Sequence, residues 1–211
     1  MAEELLWRPA FGGAPSPPYQ SCEIHPRVFT ARQCERIIRL CTELVASEAV
    51  LEDQDGGEVN DDSIRRARIA WVPADDETWW IYEKLTKVAE RANRRYGFDL
   101  TGFDEDLQFT IYDRPGAFYS WHQDGLDGRV GRRKLSMVVQ LSDPAEYEGG
   151  QLQLFDVYED SDADELDDFD AAASAQGSVI VFPSFEYHRV LPMRSGTRLS
   201  LVTWVSGPPF R

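Results

Sequence analysis

The stretch of sequence that decides the fold runs from Leu107 to Asp124 and reads LQFTIYDRPGAFYSWHQD. Its apolar residues alternate with a period of two, which predicts β-strands at Leu107–Tyr112 and Tyr119–Gln123. The sequence Arg114-Pro-Gly between them is typical of a turn. We therefore predict two short strands that follow one another closely along the chain.

The same pattern continues toward the C-terminal end of the chain. Turn sequences such as Asp143-Pro, Glu148-Gly-Gly and Ser195-Gly separate its apolar runs. The further predicted strands are Lys134–Leu141, Gln151–Phe155, Ser178–Phe182, Tyr187–Leu191 and Arg198–Val205. Many short strands in succession predict a compact all-β half.

Upstream of Gly97 the apolar residues fall at helical spacing instead. The sequence Thr30-Ala-Arg-Gln33 is a capping-box pattern, and it precedes a predicted amphipathic helix over about 31–47. A second helix is predicted over 77–96, ending at Gly97, and Ile64–Pro73 between the helices is predicted to be a strand. Helices first and strands later indicate an α+β fold.

The composition disfavours several classes of protein. With 22 Lys and Arg against 37 Asp and Glu, the formal net charge is −15, which disfavours binding to nucleic acid or to anionic lipid. No segment has the length of a membrane span, and the N-terminal residues do not resemble a secretory signal. Three cysteines are a sparse, odd count that fits a reducing compartment. We expect a cytoplasmic protein without nucleic-acid or membrane partners.

The chain divides into an arm and one domain. Residues 1–22 are rich in proline and predict an irregular arm, and residues 23–211 predict a single domain whose β core covers about 104–207. The acidic stretch 156–174 is expected to be an insertion loop, with a calcium site as the weaker alternative. The loop predicted over 52–63 is either a lid over a site or a plain surface loop.

The residues that carry chemistry lie in the predicted β half. His122 and Asp124 are two apart on one strand and therefore project from the same face, and His188 lies on another predicted strand. Two imidazoles and one carboxylate form the facial triad typical of non-haem Fe(II) oxygenases. Arg198 and Ser200 share a face and suit a carboxylate clamp. The plainer alternatives are a polar strand residue at His122 and a surface arginine at Arg198.

These motifs together resemble the Fe(II)/2-oxoglutarate dioxygenase superfamily, and within it the prolyl-4-hydroxylase-like branch that includes the bacterial PKHD-type hydroxylases. The resemblance covers about residues 26–208. The motifs that carry it are Tyr112, His122-Gln-Asp124, Gly149-Gly150-Gln-Leu152, His188 and Arg198-Leu-Ser200.

The resemblance implies a double-stranded β-helix, or jelly roll, with the N-terminal helices packed on one sheet. It implies that Fe(II) is bound by the catalytic residues His122, Asp124 and His188. It implies that the cosubstrate 2-oxoglutarate is bound by Arg198, with support from Ser200 and Tyr112. Dioxygen would be the second cosubstrate, with ascorbate as a candidate reductant. Gly149-Gly150 is assigned only a structural role, as a tight turn.

The activity that the resemblance implies is hydroxylation of an unactivated C–H bond, coupled to decarboxylation of 2-oxoglutarate to succinate and CO2. Related halogenases have Gly or Ala at the position of Asp124, so its carboxylate favours hydroxylation. The expected partner is a prolyl or other residue in a protein or peptide, or a free amino acid or similar small metabolite. The alternatives are a zinc-binding relative or a catalytically silent sensor or interaction module with the same fold.

Four residues are candidates for contact with the substrate. Trp204 lies an even number of residues from Arg198, so it is expected to face the barrel interior, with core packing as the alternative. Tyr119 is a weaker candidate. Arg66 and Arg68 are expected on one face of a strand, where they either contact an acidic group or are exposed at a sheet edge. Trp121 points away from His122 on a regular strand and is predicted to lie in the core.

Overall fold

The computed structural model describes residues 19–48, 64–125, 130–160 and 163–209. Within these residues the helices are α1 (Ala31–Glu48), α2 (Trp79–Tyr96), α3 (Phe155–Asp160) and α4 (Ala163–Ser174). The strands are, in chain order, β1 (Glu23–His25), β2 (Arg65–Arg66), β3 (Arg68–Val72), β4 (Leu107–Tyr112), β5 (Phe118–His122), β6 (Arg133–Gln140), β7 (Tyr147–Gly149), β8 (Leu152–Leu154), β9 (Val179–Pro183), β10 (His188–Val190), β11 (Met193–Gly196) and β12 (Arg198–Ser206). The predicted arm is described only from Tyr19 onward, and the predicted loop over 52–63 lies outside the described residues.

Two antiparallel sheets contain most of these strands. One has six strands in the order β1-β9-β6-β12-β4-β3, and the other has four in the order β2-β5-β10-β8. From β4 onward the chain alternates between the two sheets, except where β7 and β11 pair with each other. This alternation is the connectivity of a jelly roll. The strands predicted from Leu107 onward all form, each within one residue of its predicted bounds.

The two N-terminal helices pack on the six-stranded sheet. The predicted capping box at the start of α1 is confirmed, because the Gln33 amide N–H donates to Thr30 Oγ1 at 3.3 Å and the Thr30 N–H donates to Gln33 Oε1 at 3.0 Å. Buried residues of both helices, such as Ile37 and Leu85, join one apolar cluster with Phe109 of β4. α2 ends as predicted at Gly97, whose φ of 68° is left-handed.

Strand β4 separates the helix-side core from the space between the sheets. All six of its residues are buried. Leu107, Phe109 and Ile111 belong to the cluster that contains the helices. Gln108, Thr110 and Tyr112 line a cavity on the other face. The alternation of the sequence therefore puts a packed core on one side of β4 and a polar cavity on the other.

The predicted single strand over Ile64–Pro73 is divided in two. Arg65 and Arg66 pair with β5 in the four-stranded sheet, whereas Arg68–Val72 pairs with β4 in the six-stranded sheet. The chain therefore crosses from one sheet to the other at Ala67. Arg66 and Arg68 do not share one strand face, contrary to the prediction, because each pairs with a different sheet.

The prediction of a loop over 156–174 was wrong for the residues that are described there, which form α3 and α4. The stretch has helix-forming alanine, leucine and glutamate and contains no proline or glycine. Ala173 is buried, and Val157 and Phe169 pack against the apolar cluster between the sheets. Apolar contacts therefore hold part of this acidic segment against the barrel. Within the described part of the chain, none of the helices combines the length and the apolar character of a membrane span.

Candidate metal and cosubstrate site

Strand pairing brings the two predicted histidine ligands together. His122 at the end of β5 lies directly opposite His188 at the start of β10. Asp124 follows β5 by two residues, and its Oδ1 and Oδ2 lie 3.6 Å from His122 Nε2 and 3.5 Å from His188 Nε2. One donor atom from each of the three residues lies within 4.8 Å of the other two. These three side chains form the candidate metal site.

Backbone carbonyls orient both imidazole rings. His122 Nδ1 lies 2.8 Å from the carbonyl oxygen of Ser120, and His188 Nδ1 lies 2.9 Å from that of Glu186. A ring that donates its Nδ1–H to a carbonyl keeps the lone pair on Nε2. Both Nε2 atoms point toward the Asp124 carboxylate and are therefore available to a cation. The fit to a divalent metal rests on this donor set.

Hydroxyl and guanidinium groups hold Asp124 in place. The Ser136 hydroxyl donates to Asp124 Oδ2 at 2.7 Å, and Ser136 Oγ lies 3.0 Å from Ser184 Oγ. Arg133 Nη1 donates to the backbone carbonyl of Asp124 at 3.2 Å. The carboxylate is therefore anchored through one oxygen and through its own backbone.

The electrostatics of the site favour the metal-binding protonation state. Burial and the neighbouring His188 lower the pKa of His122 to about 4. Burial by itself raises the pKa of Asp124, but His188, His122 and the Ser136 hydroxyl outweigh it and hold the pKa below its usual value. At neutral pH, His122 is therefore neutral and Asp124 is ionised, as a bound divalent cation requires.

A cavity of about 230 Å³ between the sheets adjoins the three side chains. The predicted residues that line it are Tyr112, Tyr119, His122, Asp124, His188, Arg198, Ser200 and Trp204. Tyr119 stacks on His122 with ring centroids 3.5 Å apart. The structure thus brings both the metal-site residues and the predicted carboxylate clamp to one cavity.

Arg198 is the most buried charged side chain of this cavity. It is 2% exposed, and its Nη2 donates to Gln140 Oε1 at 3.0 Å. Its Nη1 is buried and has no hydrogen-bond partner among the described residues. A guanidinium held in this way, with a free donor, suits a carboxylate such as that of a 2-oxo acid.

The Gly149-Gly150 turn makes room for Arg198. Both glycines have left-handed φ values, 82° and 68°. A Cβ on Gly150 would lie 2.5 Å from Met193 Sδ and 3.1 Å from Arg198 Cδ. The turn therefore needs glycine for its backbone shape and for the space that the arginine occupies.

Of the two alternatives predicted for Arg66 and Arg68, the structure favours the one without substrate contact. Neither Arg66 nor Arg68 lines the cavity. The Arg66 guanidinium lies 5.7 Å from the centroid of the Phe118 ring, and Arg68 forms an ion pair with Asp113 at the surface. Among the arginines of β2 and β3, it is Arg65 that lines the cavity. Only the register of β2 on β5, where Arg65 pairs with the cavity residue Tyr119, identifies it.

Trp121 also differs from its prediction. It is 36% exposed, although it was expected in the core. It does point away from His122, but toward the outer face of the four-stranded sheet, whereas the N-terminal helices pack on the other sheet. There the Trp121 ring packs edge-on against the Phe155 ring, with the two centroids 5.7 Å apart. The Arg189 guanidinium lies 4.4 Å from the centroid of the Trp121 ring.

Sequence comparison identifies the domain that carries this site. The family model described as the 2OG-Fe(II) oxygenase superfamily matches residues 107–206, which include all three candidate metal ligands and Arg198. Residues 107–206, just under half of the chain, are therefore similar to this superfamily. The predicted resemblance is thereby confirmed.

Curated relatives within this superfamily are PKHD-type hydroxylases. One from Synechococcus sp. (strain CC9902) is 38% identical over 90 residues, which are 43% of this chain and 36% of the relative. Another, from Psychrobacter sp. (strain PRwf-1), is 39% identical over 96 residues, covering 43% of this chain and 34% of the relative. The matched region thus spans about a third of the length of each relative. These matches support the PKHD-like branch of the superfamily.

Solved structures share the fold over most of the described chain. A prolyl-4-hydroxylase from Pseudomonas putida superposes with a TM-score of 0.60 at 23% identity, covering 89% of this chain and 93% of that one. A prolyl hydroxylase from Trichoplax adhaerens, in complex with a peptide fragment of the hypoxia inducible factor oxygen degradation domain, has a TM-score of 0.64 at 17% identity, covering 88% and 83%. The predicted α+β jelly roll with helices on one sheet is confirmed.

Proposed function

We propose that this oxygenase is an Fe(II)- and 2-oxoglutarate-dependent dioxygenase that hydroxylates an unactivated C–H bond of an amino-acid-type substrate. The substrate is a prolyl or other residue in a protein or peptide, or a free amino acid or similar metabolite. The observation that carries the proposal is the convergence of His122, Asp124 and His188 beside a cavity that contains the buried, partly unpartnered Arg198.

In this proposal His122, Asp124 and His188 hold Fe(II). Arg198 binds the distal carboxylate of 2-oxoglutarate, supported by Ser200 and Tyr112. The bound iron and cosubstrate supply the oxidising chemistry that uses dioxygen, with ascorbate as the candidate reductant that keeps the iron ferrous. The chain's own contribution is orientation and exclusion of water.

The residues of the site perform that role in distinct ways. The carbonyls of Ser120 and Glu186 hold both imidazoles with Nε2 toward the metal position. The Ser136 hydroxyl fixes one oxygen of Asp124. Burial of Arg198 strengthens its attraction for a carboxylate, because little water screens the charge. The folded chain thus has one position ready for a cation, between the three ligands, and one ready for an anion, at Arg198, before any ligand binds.

The names of the relatives and neighbours support an amino-acid-type substrate. The curated relatives are hydroxylases, and the Trichoplax adhaerens enzyme is in complex with a peptide. Tyr119 and Trp204, which line the cavity close to the metal position, are the residues we propose to contact the substrate. Trp71 also lines the cavity, with its ring centroid 6.3 Å from that of Trp204.

Succinate formation tests the proposal. Purified protein would be incubated with Fe(II), ascorbate, 2-oxoglutarate and air, with and without pools of free amino acids and peptides. We expect succinate that a substrate pool stimulates and that Asp124→Ala abolishes, while Asp113→Ala, which removes a surface carboxylate, retains it. If the protein binds neither Fe(II) nor 2-oxoglutarate, or if Asp124→Ala matches the wild type, the enzyme proposal fails and the silent module replaces it.

A further inference from the structure

Three guanidinium groups line the cavity between the sheets, from Arg65, Arg133 and Arg198. Arg133 forms an ion pair with Glu105, with its Nε 2.7 Å from Glu105 Oε1. In the proposed function, Arg198 binds the distal carboxylate of 2-oxoglutarate. Arg65 has no acidic partner within the ranges that the structure describes. One cationic side chain of the cavity therefore remains to be explained.

Neighbouring groups hold the Arg65 side chain in one orientation. Its guanidinium lies 4.9 Å from the centroid of the Tyr119 ring, which itself stacks on His122. Its Nη2 donates to Gln108 Oε1 at 2.8 Å, so the side chain bridges the four-stranded and the six-stranded sheets. Its Nε is buried and has no hydrogen-bond partner among the described atoms. Arg65 thus combines a fixed position with an unused donor.

The charge of Arg65 determines what this donor suits. A neutral amide such as Gln108 accepts one hydrogen bond but does not neutralise a partly buried cation. The planar, forked donor set of arginine matches a carboxylate. A ligand that places a carboxylate there would satisfy both the unused donor and the unpaired charge.

This position is separate from that of Arg198. Gln108, which binds Arg65, and Tyr112, which lies beneath Arg198, are on the same face of β4. They are four residues apart, so their Cα atoms are separated by about 13 Å along the strand. The two guanidinium groups therefore have different hydrogen-bond partners, Gln108 for Arg65 and Gln140 for Arg198, and the Tyr119 ring lies next to Arg65.

We infer that Arg65 binds a carboxylate of the substrate and makes the enzyme selective for amino-acid compounds that carry a free carboxylate beside the oxidised carbon. This inference rests on the proposed function and names the substrate class within it. The carboxylate has three possible sources: the α-carboxylate of a free amino acid, the C-terminus of a peptide, or an Asp or Glu side chain. The cavity chemistry is the same for all three, and the experiment separates them.

Ligand binding tests the inference without turnover. Protein saturated with Zn(II), which is not redox active, and with 2-oxoglutarate would be titrated under ligand-observed NMR. The probes are the free L-amino acids, their α-carboxamides, peptides with a free or an amidated C-terminus, and peptides with Asp or Glu exchanged for Asn or Gln. We expect one acid series to bind about tenfold or more tightly than its matched amides.

Variants of neighbouring arginines make the test specific. Arg65→Gln is expected to remove the preference for the acid, and Arg65→Lys to keep part of it, because the charge remains while the fork is lost. Arg66→Gln changes the next side chain, which lies outside the cavity, and is expected to match the wild type. Unchanged 2-oxoglutarate affinity in Arg65→Gln would show that the variant folds and that Arg198 works independently.

The outcomes separate this inference from the proposed function. If acids and amides bind equally, if no acid binds, or if Arg65→Gln keeps the wild-type preference, Arg65 does not select a carboxylate. Succinate formation that any pool stimulates would still support the oxygenase in those cases. If Arg65→Gln loses 2-oxoglutarate binding and Arg198→Gln keeps it, the inference also fails, because Arg65 would then be the residue that binds 2-oxoglutarate.

Discussion

The two faces of strand β4 are equally buried but chemically opposite. On the helix side, Leu107, Phe109 and Ile111 pack into the apolar cluster with α1 and α2. On the cavity side, Gln108, Thr110 and Tyr112 lie beside Arg198, which is buried, and Arg65, which is partly buried, and each of these two cations has an unused donor. Burial alone therefore does not distinguish core from site. What distinguishes them is whether the buried atoms already have the partners that they need.

The largest effect is expected on the helix side. Phe109→Ala would remove a ring that is 1% exposed and leave a void in a packed core, so we expect the free energy of unfolding to fall by about 3–5 kcal/mol. Thr110→Val, at the adjacent cavity-facing position, keeps the side-chain shape and should cost about 1 kcal/mol or less. Chemical denaturation measures both. Equal losses would mean that the two faces are packed alike.

The next effect belongs to the cavity side and concerns binding. Arg198→Gln would remove the buried guanidinium, and charge-assisted hydrogen bonds are worth about 3 kcal/mol here, or about 100-fold in 2-oxoglutarate affinity. Calorimetry on Mn(II)-loaded protein without oxygen measures it. Arg194→Gln, four residues earlier on an exposed hairpin, should bind 2-oxoglutarate as the wild type does. A 2-oxoglutarate affinity in Arg198→Gln within threefold of wild type would contradict the assignment.

A smaller effect is expected one contact away from the metal position. Ser136→Ala would release one oxygen of Asp124, so metal affinity should fall by about 10- to 100-fold while the fold is kept. Ser178→Ala removes a buried hydroxyl that donates to the Ala175 carbonyl and to none of the three ligands, and it should not change metal affinity. Competition titration with a chromophoric chelator gives both values. Equal metal affinity in the two variants would show that Ser136 does not orient Asp124.

The smallest effect concerns pH and a histidine outside the cavity. Burial lowers the pKa of His25; the charge of Glu23 opposes this shift, and that of Arg91 in α2 adds to it. The folded chain thus keeps His25 neutral, while the unfolded chain takes up a proton below about pH 6.5. Stability should therefore fall as the pH drops from about 6.5 toward the lowered folded pKa.

Replacing the histidine isolates its share of that pH dependence. His25→Gln should show a shallower loss of stability between pH 6.5 and 5 than the wild type, measured by urea denaturation at several pH values. The residual slope would belong to other groups, including the neutral His122 of the metal-free cavity. If the two proteins lose stability with falling pH at the same rate, the pKa of His25 is the same in the folded and the unfolded chain.

Prediction from the sequence succeeded where local patterns govern structure. The capping box at Thr30 formed, α2 ended at Gly97, and the strands from Leu107 onward appeared within one residue of their predicted bounds. The strand-face argument placed His122 and Asp124 at one site, and their side chains do meet there, although β5 ends at His122 and Asp124 lies two residues beyond it. The roles of these residues in metal binding remain predictions for the experiments above.

Prediction failed where the answer depended on pairing between distant segments. The register of β2 on β5 decides that Arg65, and not Arg66, lines the cavity. The predicted strand is interrupted at Ala67 because its two halves pair with different sheets. The helices at 156–174 are held by apolar contacts of Val157 and Phe169 with the barrel, which the acidic composition concealed. The hydroxyl of Ser136 reaches Asp124 only because β6 lies beside the end of β5 in space.

The sequence by itself thus determined which segments are helices or strands, which side chains share a face, and which donor types a metal would meet. Periodicity and capping are local, and they act through residues that are close along the chain. Only the tertiary structure decided which faces meet. It paired His122 with His188, left Arg198 and Arg65 with unused donors in one cavity, and covered the other side of β4 with helices. Those outcomes depend on the register and packing of distant segments, which no local pattern contains.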